Sequence, residues 1–176
     1  CALPILPTDR PNVTLGGGNI ESLTISTMGA ASQLTSIASG GTKTVTVTGD
    51  QALRATLTAA TIATLDASAA TGALNLNVAL AGAVDQTITL GTANDNVTVA
   101  GLTAKDTITG GEGTDRVTLA DAGTNEATKM VGVEQIGVTT NNTNINLVNA
   151  ADVNLIAVAE VAGGITVNNV TAAKSG

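Results

Sequence analysis

The chain contains no aromatic side chain and no histidine, although 43% of its 176 residues are hydrophobic. Any core must therefore be built from valine, isoleucine, leucine and alanine. Small, uniform apolar side chains suit thin, regularly stacked layers better than a large irregular core. Threonine and valine are abundant, and both favour strands. The composition therefore predicts an all-β protein made of repeated thin layers.

Short runs that alternate apolar and polar residues recur from Ile20 onward. Alternation with period two is typical of a strand with one buried face. Most runs are bounded by Gly, Asn or Asp, and strands this short between frequent turns indicate a sandwich, a barrel or a coil of stacked rungs. We expect a parallel β-solenoid, of the β-roll or β-helix type, over residues 20–176. The clearest runs are Leu23–Ile25, Val45–Val47, Leu74–Val78, Ile88–Leu90, Val97–Val99, Val117–Leu119, Ile145–Leu147 and Ile165–Val167.

The first 19 residues differ from the rest of the chain. All three prolines lie here, at Pro4, Pro7 and Pro11, and the glycines 16–18 follow them. Because proline cannot donate to a strand ladder, it is confined to edges, strand starts and bulges. We expect residues 1–19 to form an extended N-terminal arm.

Two segments leave the choice between strand and helix open. Residues 51–70 are rich in Ala and Leu, with Leu53 and Leu57 at helical spacing, but their many threonines favour strands. Residues 124–131 place three apolar side chains on one face of a helical turn. A short helix or an irregular excursion is expected in this second segment.

The most informative stretch contains a Gly- and Asp-rich repeat. Residues 110–118, Gly-Gly-Glu-Gly-Thr-Asp-Arg-Val-Thr, fit the nonapeptide G-G-x-G-x-D-x-U-x, in which U is a large apolar residue. Degenerate copies begin near Gly82, Gly91 and Gly101. The apolar positions of the four copies, Ile88, Val97, Ile108 and Val117, are nine, eleven and nine residues apart, and an Asp precedes each by two or three residues. This phasing predicts repeated turns over residues 82–123.

The repeat has a chemical meaning as well as a structural one. Glycines allow backbone carbonyls to turn toward an ion, and Ca²⁺ prefers six to eight oxygen ligands. We therefore predict bound Ca²⁺, one or two ions, at the turns of the repeat. The alternative is that the Asp and Asn side chains only form Asx-turns between strands. The expected metal site consists of Asp95, Asp106, Asp115, Gly91, Gly111, Gly113 and, as a weaker candidate, Asp121.

Turns on the same edge of a solenoid are separated by two strands. The turn at 91–95 should therefore stack on the turn at 110–115. The turn at 101–106 should stack on residues 121–123.

The stretch 91–123 resembles the repeats of RTX-type calcium-binding β-roll proteins. The wider sequence, including 65–76 and 130–136, resembles bacterial surface-layer proteins and RTX adhesins. The resemblance implies type I export, calcium-dependent folding and lateral assembly into a lattice or fibre. Only one nonapeptide has the full consensus, and no C-terminal secretion signal is recognisable, which suggests part of a longer protein or a processed chain.

Several functions are disfavoured by the residue types. The net charge of −7 and the scattered basic residues argue against nucleic-acid binding. Without histidine, and with Cys1 as the only cysteine, neither a Ser-His-Asp nor a Cys-His arrangement can form, so we expect no enzyme. No stretch is long and apolar enough to cross a membrane. Cys1 is compatible with a lipidated N-terminus, a processed chain or a fragment.

We therefore expect a structural protein that is secreted or lies on the bacterial cell surface and self-assembles into a lattice or filament. A binding module is the alternative, either an adhesin or a receptor-binding domain, with a cell-envelope polysaccharide as one candidate ligand. A polysaccharide-processing enzyme is the least favoured function, because the chain lacks the aromatic residues that hold sugars.

Overall fold

The fold was analysed in a computed structural model of the chain. The structure describes residues 12–14, 20–38, 40–58, 61–79, 84–120, 123–125, 128–140, 143–159 and 163–170. Every regular element in this part of the chain is a β-strand. The strands are β1 Asn12–Thr14, β2 Ser22–Thr27, β3 Ser32–Ala38, β4 Thr44–Gly49, β5 Leu53–Leu57, β6 Thr64–Ala70, β7 Leu74–Ala79, β8 Thr87–Thr89, β9 Asn96–Ala100, β10 Thr107–Thr109, β11 Arg116–Leu119, β12 Gly123–Asn125, β13 Lys129–Val131, β14 Gln135–Val138, β15 Thr143–Asn146, β16 Leu155–Val158 and β17 Ile165–Asn168.

The strands form a parallel β-solenoid of about six turns, which confirms the expected fold class. The first sheet has eight strands in the order β1-β3-β5-β7-β9-β11-β14-β16. The second sheet has six strands in the order β13-β10-β8-β6-β4-β2. Each strand pairs in parallel with the strand one coil away, so the chain alternates between the two sheets as it winds. Parallel strands need such a crossover connection, and here the other sheet supplies it.

The core lies between the sheets and consists of columns of aliphatic side chains. The alternating burial of β4, β5 and β9 shows the period-two pattern that the sequence predicted. Because each layer is only one side chain deep on each side, the core has no need of an aromatic residue. Burial of a Val, Leu or Ile side chain contributes about 1.5–3 kcal/mol, so these columns are the main stabilising element. The central column of the first sheet is Leu34, Ala55, Leu76, Val97, Val117, Ile136 and Ile156.

Both segments that the sequence left open contain strands and no helix among their described residues. Residues 53–57 and 64–70 form β5 and β6, and residues 123–125 and 129–131 form β12 and β13. The expectation of a short helix over 124–131 is therefore wrong for these residues. One helical turn is marginal by itself, because nucleation costs more than a single hydrogen bond returns. Pairing of β13 with β10 and of β12 with β15 gives the backbone regular partners instead.

A third sheet appears in the C-terminal part of the solenoid. Strands β12, β15 and β17 form it, in that order. After β11 the chain passes through β12 of the third sheet before it reaches β13 of the second sheet, so this coil has three strands. The strands that follow, β14 to β17, alternate between the first and third sheets, an arrangement that the sequence analysis did not anticipate.

The expected N-terminal arm is described only at residues 12–14. These residues form β1, the terminal strand of the first sheet, paired with β3. Pro4, Pro7 and Pro11 lie outside the described residues. Within the described part of the chain, no helix is long and apolar enough to cross a membrane.

Candidate functional site

The turns that carry Asp95 and Asp115 stack on each other, as the repeat spacing predicted. Both turns lead from the second sheet into the first, and they enter the neighbouring strands β9 and β11. The N–H of Arg116 donates to the carbonyl oxygen of Asp95 at 2.9 Å, which joins the two turns directly. Asp95 is 2% exposed and Asp115 is fully buried. Two acidic side chains are therefore held inside adjacent coils at one edge of the solenoid.

The buried carboxylates belong to a column that changes character along the solenoid. At the entrance to β5 and β7 the column holds Leu53 and Leu74, which are buried apolar residues. In the next three coils the same position holds Asp95, Asp115 and Glu134. We call these three residues the carboxylate column. A position that is apolar in two coils has thus become acidic in the three that follow.

Each member of the carboxylate column accepts a hydrogen bond from the coil before it. Oδ1 of Asp95 accepts the N–H of Leu74 at 2.8 Å, and Oδ1 of Asp115 accepts the N–H of Asp95 at 2.8 Å. Oε2 of Glu134 accepts the N–H of Asp115 at 2.8 Å. Donor and acceptor lie 21, 20 and 19 residues apart in these three bonds. The carboxylates therefore tie successive coils together and satisfy backbone donors at the turns.

Asp95 and Asp115 differ in the use of their second oxygen. Oδ2 of Asp95 accepts the N–H of Gly91 at 2.8 Å. Oδ2 of Asp115 is buried and has no hydrogen-bond partner. Since buried polar atoms are almost always paired, an unpaired carboxylate oxygen marks a position where a donor or a cation would be favourable.

The electrostatic setting of Asp115 follows from its burial and from its acidic neighbours. Burial raises the pKa of Asp115 to about 6, and the nearby charges of Asp95 and Glu134 act in the same direction. The hydrogen bond from the N–H of Asp95 opposes the shift but does not cancel it. Burial also raises the pKa of Asp95, against the two hydrogen bonds from Leu74 and Gly91. Negative charge on Asp95 and Asp115 is therefore unfavourable unless a cation neutralises it.

Gly111 shows how closely the stacked turns approach each other. Its φ of +100° lies in the region that side chains rarely adopt, and a Cβ at this position would collide with the carbonyl oxygen of Gly91. Gly113 is similar, because its φ is +113° and a Cβ would lie 2.6 Å from the carbonyl oxygen of Ala93. The glycines of the nonapeptide therefore bring carbonyl oxygens of one coil against the backbone of the next.

Replacement of Gly111 by alanine should lower the free energy of unfolding by roughly 2 kcal/mol or more, because both the backbone conformation and the stacking are disturbed. Urea unfolding followed by circular dichroism measures the change. Gly40→Ala is the matched control, since an added Cβ there meets no atom within 4 Å. Equal stabilities of the Gly111→Ala and Gly40→Ala variants would show that the turns do not need this close approach.

Asp106 lies at the opposite edge of the solenoid, where the chain passes from the first sheet to the second. Its Oδ1 accepts the N–H of Gln86 at 2.7 Å and its Oδ2 accepts the N–H of Thr103 at 2.6 Å. Asp106 is buried with both oxygens used, so it serves as a turn-forming residue in the manner of the Asx alternative. It does not join Asp95 and Asp115 in one site.

The prediction that the turn at 101–106 stacks on residues 121–123 was wrong. The turn stacks on Thr128 and Lys129, because the hydroxyl of Thr128 donates to the Thr103 carbonyl at 2.9 Å and the N–H of Lys129 donates to the Asp106 carbonyl at 3.2 Å. Gly123 begins β12 in the third sheet instead. Because the coil β11–β12–β13 contains the additional strand β12, the next turn on this edge lies further along the chain. Asp121 lies outside the described residues.

Two carboxylates that the sequence analysis missed have related roles. Glu134 completes the carboxylate column, and Oδ2 of Asp152 accepts the N–H of Gly132 at 2.9 Å. A signal for Glu134 was present, because it precedes the apolar Ile136 by two residues, as Asp95 precedes Val97 and Asp115 precedes Val117. This copy of the repeat was missed because Ile136 lies further from Val117 than the apolar positions of the other copies lie from each other.

The chain's donor set fits a calcium ion at the Asp95–Asp115 edge only in part. In the described part of the chain, no group of three or more Cys, Asp or Glu side chains is placed to hold a metal ion. A cation at this edge would therefore depend on the free Oδ2 of Asp115, the carboxylate of Asp95 and main-chain carbonyl oxygens of the stacked turns. Such an oxygen-only donor set is the kind that Ca²⁺ accepts.

Comparisons with protein-family models, curated proteins and solved structures found no match to this chain. The resemblance to RTX-type and surface-layer proteins therefore rests on the sequence patterns of residues 65–76, 91–123 and 130–136.

Proposed function

We propose that this chain is a structural β-solenoid of a secreted or bacterial cell-surface protein, stiffened by calcium and assembled into a surface layer or fibre. The observation that carries the calcium part is the unpaired buried Oδ2 of Asp115, beside Asp95 in the adjacent coil. Burial makes charge on Asp115 unfavourable, and a divalent cation offsets that cost. When bound, calcium would supply positive charge between two coils, where Asp95, Asp115 and the carbonyls near Gly91, Gly111 and Gly113 would hold it.

The repetitive construction of the fold supports a structural role. Successive coils are joined by sheet hydrogen bonds, by aliphatic columns and by the carboxylate column. In a solenoid of this kind each repeat contacts only its neighbours, so coils can be added without a change in the existing contacts.

Assembly into a filament or lattice is proposed from the resemblance of residues 65–76 and 130–136 to surface-layer proteins. Within the described part of the chain, β16 and β17 each have a strand partner on one side only. Leu155 is 47% exposed and Val158 is 51% exposed, whereas the equivalent side chains one coil earlier, Gln135 and Val138, are half-buried and buried. A coil that packs on these strands, from the same chain or from a second copy, would bury these exposed apolar side chains.

Purified protein should form sheets or filaments visible by electron microscopy as its concentration is raised in millimolar calcium. The double variant Leu155→Lys with Val158→Lys should remain dispersed at the same concentrations, because two charges would be buried at the contact. Val148→Lys is the control, as Val148 is 57% exposed in a turn away from these strands. Dispersed wild-type protein, or unchanged assembly of the double variant, would contradict the end-to-end contact.

A binding module is the second candidate, and one feature favours it. A shallow groove of about 360 Å³ crosses four coils on the first-sheet side. Gln33, Arg54, Asn75 and Asn96 contribute side chains to it from equivalent positions. Such a row of amide and guanidinium donors suits the hydroxyls of a linear polysaccharide. Protein that stays monomeric at high concentration but is retained by cell-envelope polysaccharide would favour this function over the structural one.

A further inference from the structure

The outward face of the second sheet presents a regular array of hydroxyl side chains. The strands β2, β4, β6, β8 and β10 lie in five adjacent coils, and each has at least two outward side chains, which are separated by one inward side chain. We call this surface the threonine face. Its ten members are Ser22, Thr24, Thr44, Thr46, Thr64, Asp66, Thr87, Thr89, Thr107 and Thr109.

The strand register aligns these side chains into two columns. One column runs through Thr44, Thr64, Thr87 and Thr107, which are direct partners in successive strands. The other includes Thr24 beside Thr46, and Thr89 beside Thr109. Neighbouring strands are about 4.7–4.9 Å apart, and alternate residues along a strand are about 6.5 Å apart. The hydroxyl and methyl groups therefore form a two-dimensional grid with two fixed repeats.

The hydroxyl groups of this grid are not used inside the protein. Among the described residues, none of the eight threonines of the face makes a side-chain hydrogen bond, whereas Thr27, Thr58 and Thr118 elsewhere do. The single charged member is Asp66, whose Oδ1 accepts hydrogen bonds from both the N–H and the hydroxyl of Ser68. The face thus offers free hydroxyls and methyl groups at fixed spacing, with little charge.

We propose that the threonine face binds the surface of ice. Its two repeats are close to the repeat distances between water oxygens in ice surface planes. Because the stacked coils hold β-branched side chains with restricted χ1 angles, little side-chain entropy is lost when water orders over the grid. Threonine methyl and hydroxyl groups carry no charge, so this face lacks the tightly bound water that surrounds ionised side chains. The absence of aromatic residues and of clustered charge disfavours sugars and polyanions as the ligand of this face.

This inference is independent of the proposed calcium function, because the threonine face and the carboxylate column lie on different sides of the solenoid. The test uses the full chain in millimolar calcium, labelled with a fluorophore at Cys1, the only cysteine. Ice is grown slowly from the solution, and the label in the ice is compared with the label left in the liquid. The wild-type protein should be enriched in the ice and should inhibit ice recrystallisation.

The double variant Thr46→Lys with Thr89→Lys should be excluded from ice as completely as an unrelated soluble protein, because two charged side chains interrupt the column that contains Thr24, Thr46, Thr89 and Thr109. Thr56→Lys with Thr98→Lys is the matched control, since these threonines face outward from β5 and β9 of the first sheet. Circular dichroism establishes that both variants are folded, and the single variant Thr89→Lys replaces the double variant if the latter fails to fold. Exclusion of the wild-type protein, or equal uptake of the threonine-face variant and the wild type, would overturn the proposal.

Discussion

Excess chelator should lower the melting temperature of the protein by roughly 5–10 °C relative to saturating calcium. A ligand present at a hundredfold its dissociation constant stabilises the folded state by about 2.7 kcal/mol. For a chain of this size, each kcal/mol corresponds to about 2–4 °C. The effect arises because calcium would neutralise the buried carboxylates of Asp95 and Asp115 in the folded state only. Thermal unfolding followed by circular dichroism, with and without chelator, measures it.

The variant Asp115→Asn localises this effect to the carboxylate column. Asparagine keeps an oxygen to accept the N–H of Asp95, but it removes the charge and the unpaired Oδ2. The calcium-induced shift should therefore fall by at least half in this variant. Asp50→Asn is the matched control, because Asp50 is exposed and lies outside the column. If the wild-type melting temperature does not respond to calcium, the calcium proposal is wrong, and a full response in Asp115→Asn would place the ion elsewhere.

In calcium-free buffer, the protein should become less stable as the pH rises from 4.5 to 7. Burial raises the pKa of Asp115 from 3.8 to about 6 in the folded state. The folded chain therefore binds more protons than the unfolded chain between these values, and its stability declines as Asp115 ionises. The expected loss is roughly 2–3 kcal/mol, from about 1.4 kcal/mol for each unit of pKa difference. Urea unfolding at several pH values measures the loss.

The direction of this pH dependence distinguishes Asp115 from other carboxylates. Hydrogen bonds from Ser68 lower the pKa of Asp66, and Lys43 lowers the pKa of Glu21, so the favourable interactions of both groups are lost only at lower pH. The Asp115→Asn variant should lose most of the decline and should be more stable than the wild type at pH 7 without calcium. A wild-type stability that increases between pH 4.5 and 7, or an unchanged slope in the variant, would contradict the buried charge on Asp115.

Much of the fold could be predicted from local sequence patterns. Period-two runs such as 45–47, 74–78 and 97–99 form strands at the expected places. The reason is that alternation with one buried face is a local property, and each short run carries it independently of its partners. The stacking of the 91–95 turn on the 110–115 turn was also predictable, because the spacing of the repeat fixes which turns share an edge.

Other features depended on contacts between distant residues. The segment 124–131 has apolar residues at helical spacing, yet its described residues form strands, because partners in β10 and β15 exist only once the coil has closed. Because β12 adds a strand to this coil, the Asp106 turn stacks on Thr128 and Lys129 and not on residues 121–123. A local pattern does not specify how many strands one coil contains.

The carboxylate column shows the same division within the candidate site. An Asp two residues before an apolar residue, at Asp95 and Asp115, identified the acidic turns from sequence alone. Their different roles were decided by tertiary structure, because donors one coil away pair both oxygens of Asp95 and only one oxygen of Asp115.

The sequence by itself determined that this chain forms thin, aliphatic, stacked strands with glycine-rich acidic turns, since these follow from residue type and short-range period. The tertiary structure alone decided the appearance of the third sheet, the separation of Asp106 from Asp95 and Asp115, and the alignment of the threonine face. These features depend on the length of each coil and the register between coils, which are set by pairing partners about 20 residues away rather than by neighbours in the chain.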